Sequence, residues 1–447
     1  MKLLLVQVPT SHLGAGEKVY PLGLSRLSAL VPKTIEKKAL DMNLCLDPWH
    51  ELKQVLDIYT PDVVALSFRN LDPLAGHQTS YLPSLKTAAR LVRIMVPQAK
   101  IIAGGPAFSL FANRLMTEIP HIDVGLLGEG ETVFEMLLSP SIFPIKIPGV
   151  IWRNGENIVT NPMGPKLSLD EIPAPDTFLF NPNAYTKANT YVAAIGIEGK
   201  RGCDLRCGYC LYPFLGGRSM RLRNPEKIAD EIQLFHKNYG IRLFHFTDSV
   251  VNRPKDHFED VCNALIKRNL DIGWTGFFRE AGLTPETLDL AIDSGLAAIY
   301  FSGDALTDTG LKLLNKRLTI KQILDAAKLT AQREILTVCH FLVNLPGETD
   351  ESIKQSYDTL NKLLDIHGPA GNLGAVIFNH IRLYPGAAIT RKLIQSGWLD
   401  PNTDFLYPVY HNPSKYSHIL HEFEVYCHTA GVFSRLGISA GGEKGIS

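Results

Sequence analysis

Long apolar runs are missing from this chain. Nowhere in its 447 residues is there an approach to the roughly 18 consecutive apolar residues that a membrane helix needs. The opening Met1-Lys-Leu-Leu-Leu-Val-Gln-Val is too short for a secretory signal and soon meets Pro9, so it reads as a first buried strand. An excess of either charge is also absent. Lysine plus arginine equals aspartate plus glutamate at 45 each, which offers no basic face to nucleic acid and no block of like charge. Cysteine is sparse: 7 in the chain, which in an intracellular setting point to ligands and core thiols rather than disulfides. The expectation is a cytoplasmic protein with no membrane span and no nucleic-acid partner.

What the chain does have is apolar mass. With 45% hydrophobic residues it can bury large cores and divide into two or three domains. Three of the cysteines crowd into Gly196-Ile-Glu-Gly-Lys-Arg-Gly-Cys203-Asp-Leu-Arg-Cys207-Gly-Tyr-Cys210, the spacing Cys-x3-Cys-x2-Cys, directly after a strand-like run beginning at Tyr191. A strand that empties into such a loop presents three thiolates on a short arc. Thiolates are the ligands of iron–sulfur clusters, and a four-iron cluster usually takes four of them. No fourth cysteine lies nearby, which would leave one iron open to an external ligand. Zinc in a closed site would want a second short-spaced pair, and none is present.

Residues 1–140 alternate strand-like runs (Leu3–Val8, Asp62–Ser67, Lys100–Gly105, Val124–Gly128) with helical patterns. That alternation predicts a doubly wound parallel sheet, with ligands beyond the carboxyl ends of its strands. Residues 141–190 are interrupted by Pro144, Pro148, Pro162, Pro165, Pro173, Pro175 and Pro182, and read as a connector with a small hairpin turning at Asn154-Gly155. From 191 to 395 the alternation returns, with strands expected at Leu243–Thr247, Ile272–Phe278, Ala298–Ser302, Val338–Asn344 and Ala375–Leu383. Residues 396–447 read as a helical cap, with Ser417–Phe433 helical and Gly441–Ser447 disordered.

The cysteine spacing, with an aromatic residue before the last cysteine, resembles the radical S-adenosylmethionine (SAM) superfamily. The loops of the first domain, marked by Tyr20-Pro-Leu-Gly-Leu, Pro61-Asp-Val-Val-Ala-Leu-Ser, Gly104-Gly-Pro and Gly128-Glu-Gly-Glu, resemble the cobalamin-binding domain found upstream of many radical SAM cores. The resemblance covers nearly the whole chain. It implies an α/β architecture: an N-terminal Rossmann-like cobalamin domain, then a partial (β/α)6 barrel and a short C-terminal segment. Cys203, Cys207 and Cys210 would hold a [4Fe-4S] cluster whose open iron binds SAM. Asp248, Ser249, Arg279, Ser302, Asp304, His380 and Arg382 would contact SAM; the acid at Asp304 is one carbon shorter than the glutamate usual there, and displaced. Ser67, Gly104, Gly105, Gly128, Glu129 and Gly130 would approach cobalamin. The chain lacks Asp-x-His-x-x-Gly, so no protein histidine is expected on cobalt, as is usual in this branch.

The implied function is radical chemistry fed by an external one-electron reductant. The leading expectation is methyl transfer to an unactivated carbon or phosphorus of a small metabolite. The alternatives are cyclisation, rearrangement or 3-amino-3-carboxypropyl transfer, and a non-enzymatic cobalamin or cluster sensor. Methylthiotransfer is disfavoured, since no further cysteine triad is present. Candidate catalytic groups are Cys45, Cys427 and Tyr410, with Tyr407 and His411 as possible substrate contacts. Cys262 and Cys339 read as core thiols, Lys316 and Arg317 as the solvated face of a helix, and Pro346-Gly-Glu-Thr349 as a turn with a helix cap.

Overall fold

The computed structural model describes residues 1–10, 18–72, 79–139, 144–186 and 192–434. The expected disorder at Gly441–Ser447 lies outside them. The chain divides into two compact units, one made of most residues up to Ile197 together with Lys237–Ile241, the other of Glu198–His236 and the described residues from Arg242 onward.

The first unit is built on a seven-stranded sheet. Its strands are β1 (Lys2–Gln7), β2 (Glu36–Asp41), β3 (Val63–Ser67), β4 (Lys100–Gly104), β5 (Val124–Leu126), β6 (Val150–Asn154) and β7 (Asn157–Thr160), in the order β2-β1-β3-β4-β5-β6-β7. The first five pair in parallel. Their order reverses direction between β1 and β3, and in such sheets ligands settle in the crevice beyond that switch point. β1 and β3 are buried along nearly their whole length, which the apolar runs Leu-Leu-Leu-Val and Val-Val-Ala-Leu foretell. β2 has no such run. Its sequence Glu-Lys-Lys-Ala-Leu-Asp is half-exposed, an edge strand whose lysines discourage pairing with another chain. The hairpin expected inside the connector does form, but β6 pairs antiparallel with β5 and β7 with β6, so it extends this sheet.

The second sheet has six strands: β8 (Ile195–Ile197), β9 (Leu243–Phe246), β10 (Gly273–Phe278), β11 (Leu296–Asp304), β12 (Leu336–Leu342) and β13 (Leu373–Asn379), with β8 at one edge and β13 at the other. From β9 to β13 every neighbour pairs in parallel. The helices Pro225–Tyr239, Lys255–Arg268, Pro285–Asp293, Ile320–Gln332 and Asp350–His367 separate the strands. Side chains alternate across this sheet. One face sends Phe246, Trp274 and Phe278 against Phe258 of the helix Lys255–Arg268. The other brings together His245, Phe277, Tyr300 and His340 from four successive strands, with ring centroids 5.3–6.2 Å apart.

The last expected strand is shorter than predicted. β13 stops at Asn379, and Ile381–Arg382 turns away to pair antiparallel with Tyr410–His411. The C-terminal helix spans Ile419–Thr429 and packs Phe423 on Phe378 of β13.

Candidate active site

The cysteine loop leaves β8 and folds back as a two-residue ribbon, Lys200–Arg201 against Arg221–Leu222. Two glycines shape it. Gly202 has φ of +93° and lies so close to the Ser219 carbonyl that a Cβ would sit 2.2 Å from it. Gly199 leaves room for the Asp248 carboxylate, which a Cβ would approach to 2.7 Å. That carboxylate accepts hydrogen bonds from the backbone N–H groups of Gly199 (2.8 Å) and Lys200 (3.0 Å).

The three thiols of the loop line one cavity of about 170 Å³ at the carboxyl ends of β9, β10 and β11. Ser249, Phe277, Arg279, Glu280, Ser302, Tyr209 and Lys316 complete most of its wall. Burial pushes the Cys210 thiol up to about 11 and raises Cys207, where the Lys316 ammonium opposes the effect. Thiolate ligation here therefore requires a metal partner to displace the protons. Among the described residues no three His, Cys, Asp or Glu side chains converge on one ion position. The thiols are distributed round a shared cavity, an arrangement that suits a cluster with separate irons better than a single zinc ion.

A second segment grips the cysteine loop from the far side. Leu314 accepts from the Gly208 N–H at 2.8 Å, and Asn315 Nδ2 donates to the Arg206 carbonyl at 2.6 Å. Lys316 Nζ lies 2.5 Å from Asp304 Oδ2, and the Tyr209 hydroxyl donates to the same carboxylate oxygen. Lys316 and Asp304 are each only 7% exposed. Asp304, Asn315 and Arg317 all hold positive φ, between 52° and 64°. Such conformations are costly in residues other than glycine and gather where the surrounding structure fixes a ligand-binding geometry.

The residues expected to contact SAM divide between the cavity wall and its surroundings. Ser249 and Ser302 do line the cavity; Ser249 Oγ donates to the Gly202 carbonyl at 3.1 Å. Asp248 does not line it, because both backbone amides of the loop occupy its carboxylate and Lys200 Nζ stands 3.7 Å away. Asp304 is committed to Lys316 and Tyr209. Arg279 lines the cavity, yet its Nη2 donates to the carbonyls of Lys316 (2.8 Å) and Arg317 (2.7 Å), so that nitrogen braces the gripping segment. Arg382 donates to the Leu383 and Phe405 carbonyls and covers the Tyr384 ring, and burial lowers His380 to about 4; neither lines the cavity.

The weaker candidates are likewise placed. The Cys45 thiol points at the Asp41 carbonyl, 3.5 Å away, and burial pushes it up to about 11. Cys427 is fully buried and pushed up to about 12, and Cys262 and Cys339 are buried as expected. His411 donates its Nδ1–H to the Asn344 carbonyl and packs on Trp398, Tyr410 sits in the same short ribbon, and Tyr407 is exposed. None of them lines the cysteine cavity. Lys316, expected on a solvated face, is the largest departure, together with Glu280. The sequence signal for both was weak, because each sits two or three residues beyond a regular element, where periodicity no longer reports burial.

In the first unit the expected cofactor loops lie at strand carboxyl ends. Ser67 closes β3 and Gly104 closes β4. Gly105 has φ of +106°, and a Cβ there would meet the Phe68 carbonyl at 2.6 Å, so its own backbone already demands glycine. Gly128, also at positive φ, donates its N–H to Ser109 Oγ at 2.9 Å. Gly130 packs on Leu27, with Glu129 between them in sequence.

Residues 197–360 match the model of the radical SAM superfamily. The chain is 24% identical over 406 residues to an uncharacterized methyltransferase of Pyrococcus horikoshii, covering 89% of this chain and 85% of that one. Among solved structures it resembles the radical SAM methyltransferase TsrM from Kitasatospora setae with cobalamin and a [4Fe-4S] cluster bound, with a TM-score of 0.72, 21% identity and coverage of 88% and 78%. It also resembles the cobalamin-dependent SAM radical enzyme OxsB, with a TM-score of 0.74, 16% identity and coverage of 96% of this chain and 66% of that one. The cysteine loop and most of the parallel barrel sheet fall within the stretch that matches the radical SAM superfamily model, and the fold over most of the chain is similar to those of TsrM and OxsB.

Proposed function

We propose that this protein is a cobalamin-dependent radical SAM methyltransferase acting on an unactivated carbon or phosphorus of a small metabolite. The observation that carries the reading is the shared cavity of Cys203, Cys207 and Cys210 at the strand ends of a barrel whose chain-wide fold is that of TsrM. In this reading the three thiolates hold a [4Fe-4S] cluster, and Ser67, Gly104, Gly105, Gly128, Glu129 and Gly130 flank cobalamin.

When bound, the two cofactors supply one-electron reduction of SAM and a transferable methyl group, so the protein supplies placement and exclusion of water. Phe277, Phe278 and Val250 give the cavity dry walls. Ser249 and Ser302 offer hydroxyls to the ribose or carboxylate of SAM. Lys316, held by Asp304, places its ammonium near Cys207 and favours that thiolate, an effect that the Asp304 carboxylate partly offsets. A soluble external donor would supply the electron, and a cytoplasmic location fits the oxygen sensitivity of such a centre. No described helix is long and apolar enough to cross a membrane.

The test is an anaerobic reaction of the reconstituted protein with reductant, SAM, hydroxocobalamin and candidate substrates, with all SAM-derived fragments identified by mass spectrometry. Substrate-dependent S-adenosylhomocysteine together with 5′-deoxyadenosine, lost when cobalamin is omitted, is the expected result. The fold is equally similar to that of OxsB, a cobalamin-dependent SAM radical enzyme, and the same cavity would serve a second reading, radical chemistry without methyl transfer. Methionine and 5′-deoxyadenosine alone would support it, and methylthioadenosine would show aminocarboxypropyl transfer instead.

A further inference from the structure

Glu280 is the unexplained group of the cysteine cavity. It lies two residues beyond β10, lines the cavity and is 3% exposed. No other described residue hydrogen-bonds to either of its carboxylate oxygens. A buried carboxylate left in this state costs far more than one that is paired, and native structures keep such groups where a ligand completes them.

Lys316 and Arg279 lie near enough to favour its charge, but neither hydrogen-bonds to it. Lys316 gives its ammonium to Asp304, and Arg279 turns its Nη2 to the carbonyls of Lys316 and Arg317. Gly303 lies beside Glu280, where a Cβ would stand 3.5 Å from Oε1, an ordinary contact distance. Asn252 fixes the strand end by bonding both the N–H (2.9 Å) and the carbonyl (2.8 Å) of Arg279. The carboxylate is therefore held in place with its acceptor capacity unspent.

We propose that Glu280 is a ligand-binding residue of this cavity, whose carboxylate receives a cationic group, ammonium or sulfonium, of the bound small molecule. The inference rests on the reading that SAM occupies this cavity, and SAM carries both kinds of cation. A neutral glutamine retains the shape and loses the charge, so the substitution isolates the electrostatic part of recognition.

The experiment is equilibrium dialysis of SAM and of S-adenosylhomocysteine against the cluster-reconstituted full chain, wild type and Glu280→Gln. Iron content and the visible absorption of the cluster are measured on both proteins. A charge-assisted hydrogen bond is worth about 1.5–3 kcal/mol, so Glu280→Gln should weaken SAM binding roughly tenfold to a hundredfold with iron content unchanged. If S-adenosylhomocysteine, which keeps the ammonium and lacks the sulfonium, weakens equally, the ammonium is the partner; if it does not, the sulfonium is. Unchanged SAM affinity in Glu280→Gln overturns the proposal. So does an altered electron paramagnetic resonance spectrum of the reduced, SAM-free cluster, which would assign the carboxylate to iron. Failure of the wild type to bind SAM at all would instead overturn the underlying reading of the cavity.

Discussion

The ammonium of Lys316 and the carboxylate of Asp304 form a buried ion pair, 2.5 Å apart, to which the Tyr209 hydroxyl adds a third member from between two of the cysteines. Breaking such a pair from one side leaves a charge stranded in a poorly solvated place. Asp304→Ala should destabilise the protein by about 3–5 kcal/mol, read as a lower denaturant midpoint. Tyr209→Phe removes only the hydroxyl and should cost less, about 1.5–3 kcal/mol. Equal effects from the two variants would mean that the ion pair contributes little beyond the tyrosine.

In the first unit, Gly105 is constrained both by its backbone conformation and by its neighbour. Its φ of +106° and the Phe68 carbonyl 2.6 Å from a built Cβ leave no room for a side chain. Gly105→Ala should cost about 1–3 kcal/mol from backbone strain alone, with the clash added. Thermal unfolding of the cobalamin-free protein measures this apart from any loss of cofactor. A variant as stable as wild type would show that the loop simply moves aside.

Thr349 caps the helix Asp350–His367, accepting from the Ser352 N–H at 3.1 Å while Ser352 Oγ accepts from the Thr349 N–H at 2.8 Å. Thr349→Ala should lower stability by about 1 kcal/mol and leave iron content unaffected. Loss of the cluster in this variant would instead give the turn a part in the site.

Two buried histidines should make the fold sensitive to acid. Burial lowers His245 to about 4 and His380 to about 4, against 6.5 for a free imidazole. Below pH 6.5 the unfolded chain takes up protons that the folded chain refuses, so stability falls as pH drops from about 6.5 towards 4. The denaturant midpoint should decline across pH 6.5 to 5, and His245→Leu should make that decline shallower. An unchanged slope would place the acid sensitivity elsewhere.

The sequence disclosed the parts whose physics is periodic or local. Apolar runs marked β1, β3, β4 and the barrel strands, the cysteine spacing marked the loop, and Thr349 announced its helix cap. It concealed β2, because an edge strand is free to carry Glu36, Lys37 and Lys38. For Asp248 and Arg279 the residue types suit a ligand, and nothing in the sequence signalled that several of their hydrogen bonds go to the protein's own backbone. Burial of Lys316 and Glu280 was invisible for a related reason. It depends on how loops from different strands close over one cavity, a long-range fact that neighbouring residues do not encode.

The grip of Leu314–Lys316 on the cysteine loop has a consequence for how the protein matures. Asn315 and Arg206, joined by a hydrogen bond, are 109 residues apart in the chain. While the chain is being synthesised the three cysteines emerge long before the segment that shapes their loop. The thiols therefore pass through a period in which they are reactive but unorganised, and iron delivered then would meet no defined receptacle. The geometry favours loading after the fourth barrel strand has docked, so the metal site is a late product of folding and not its seed.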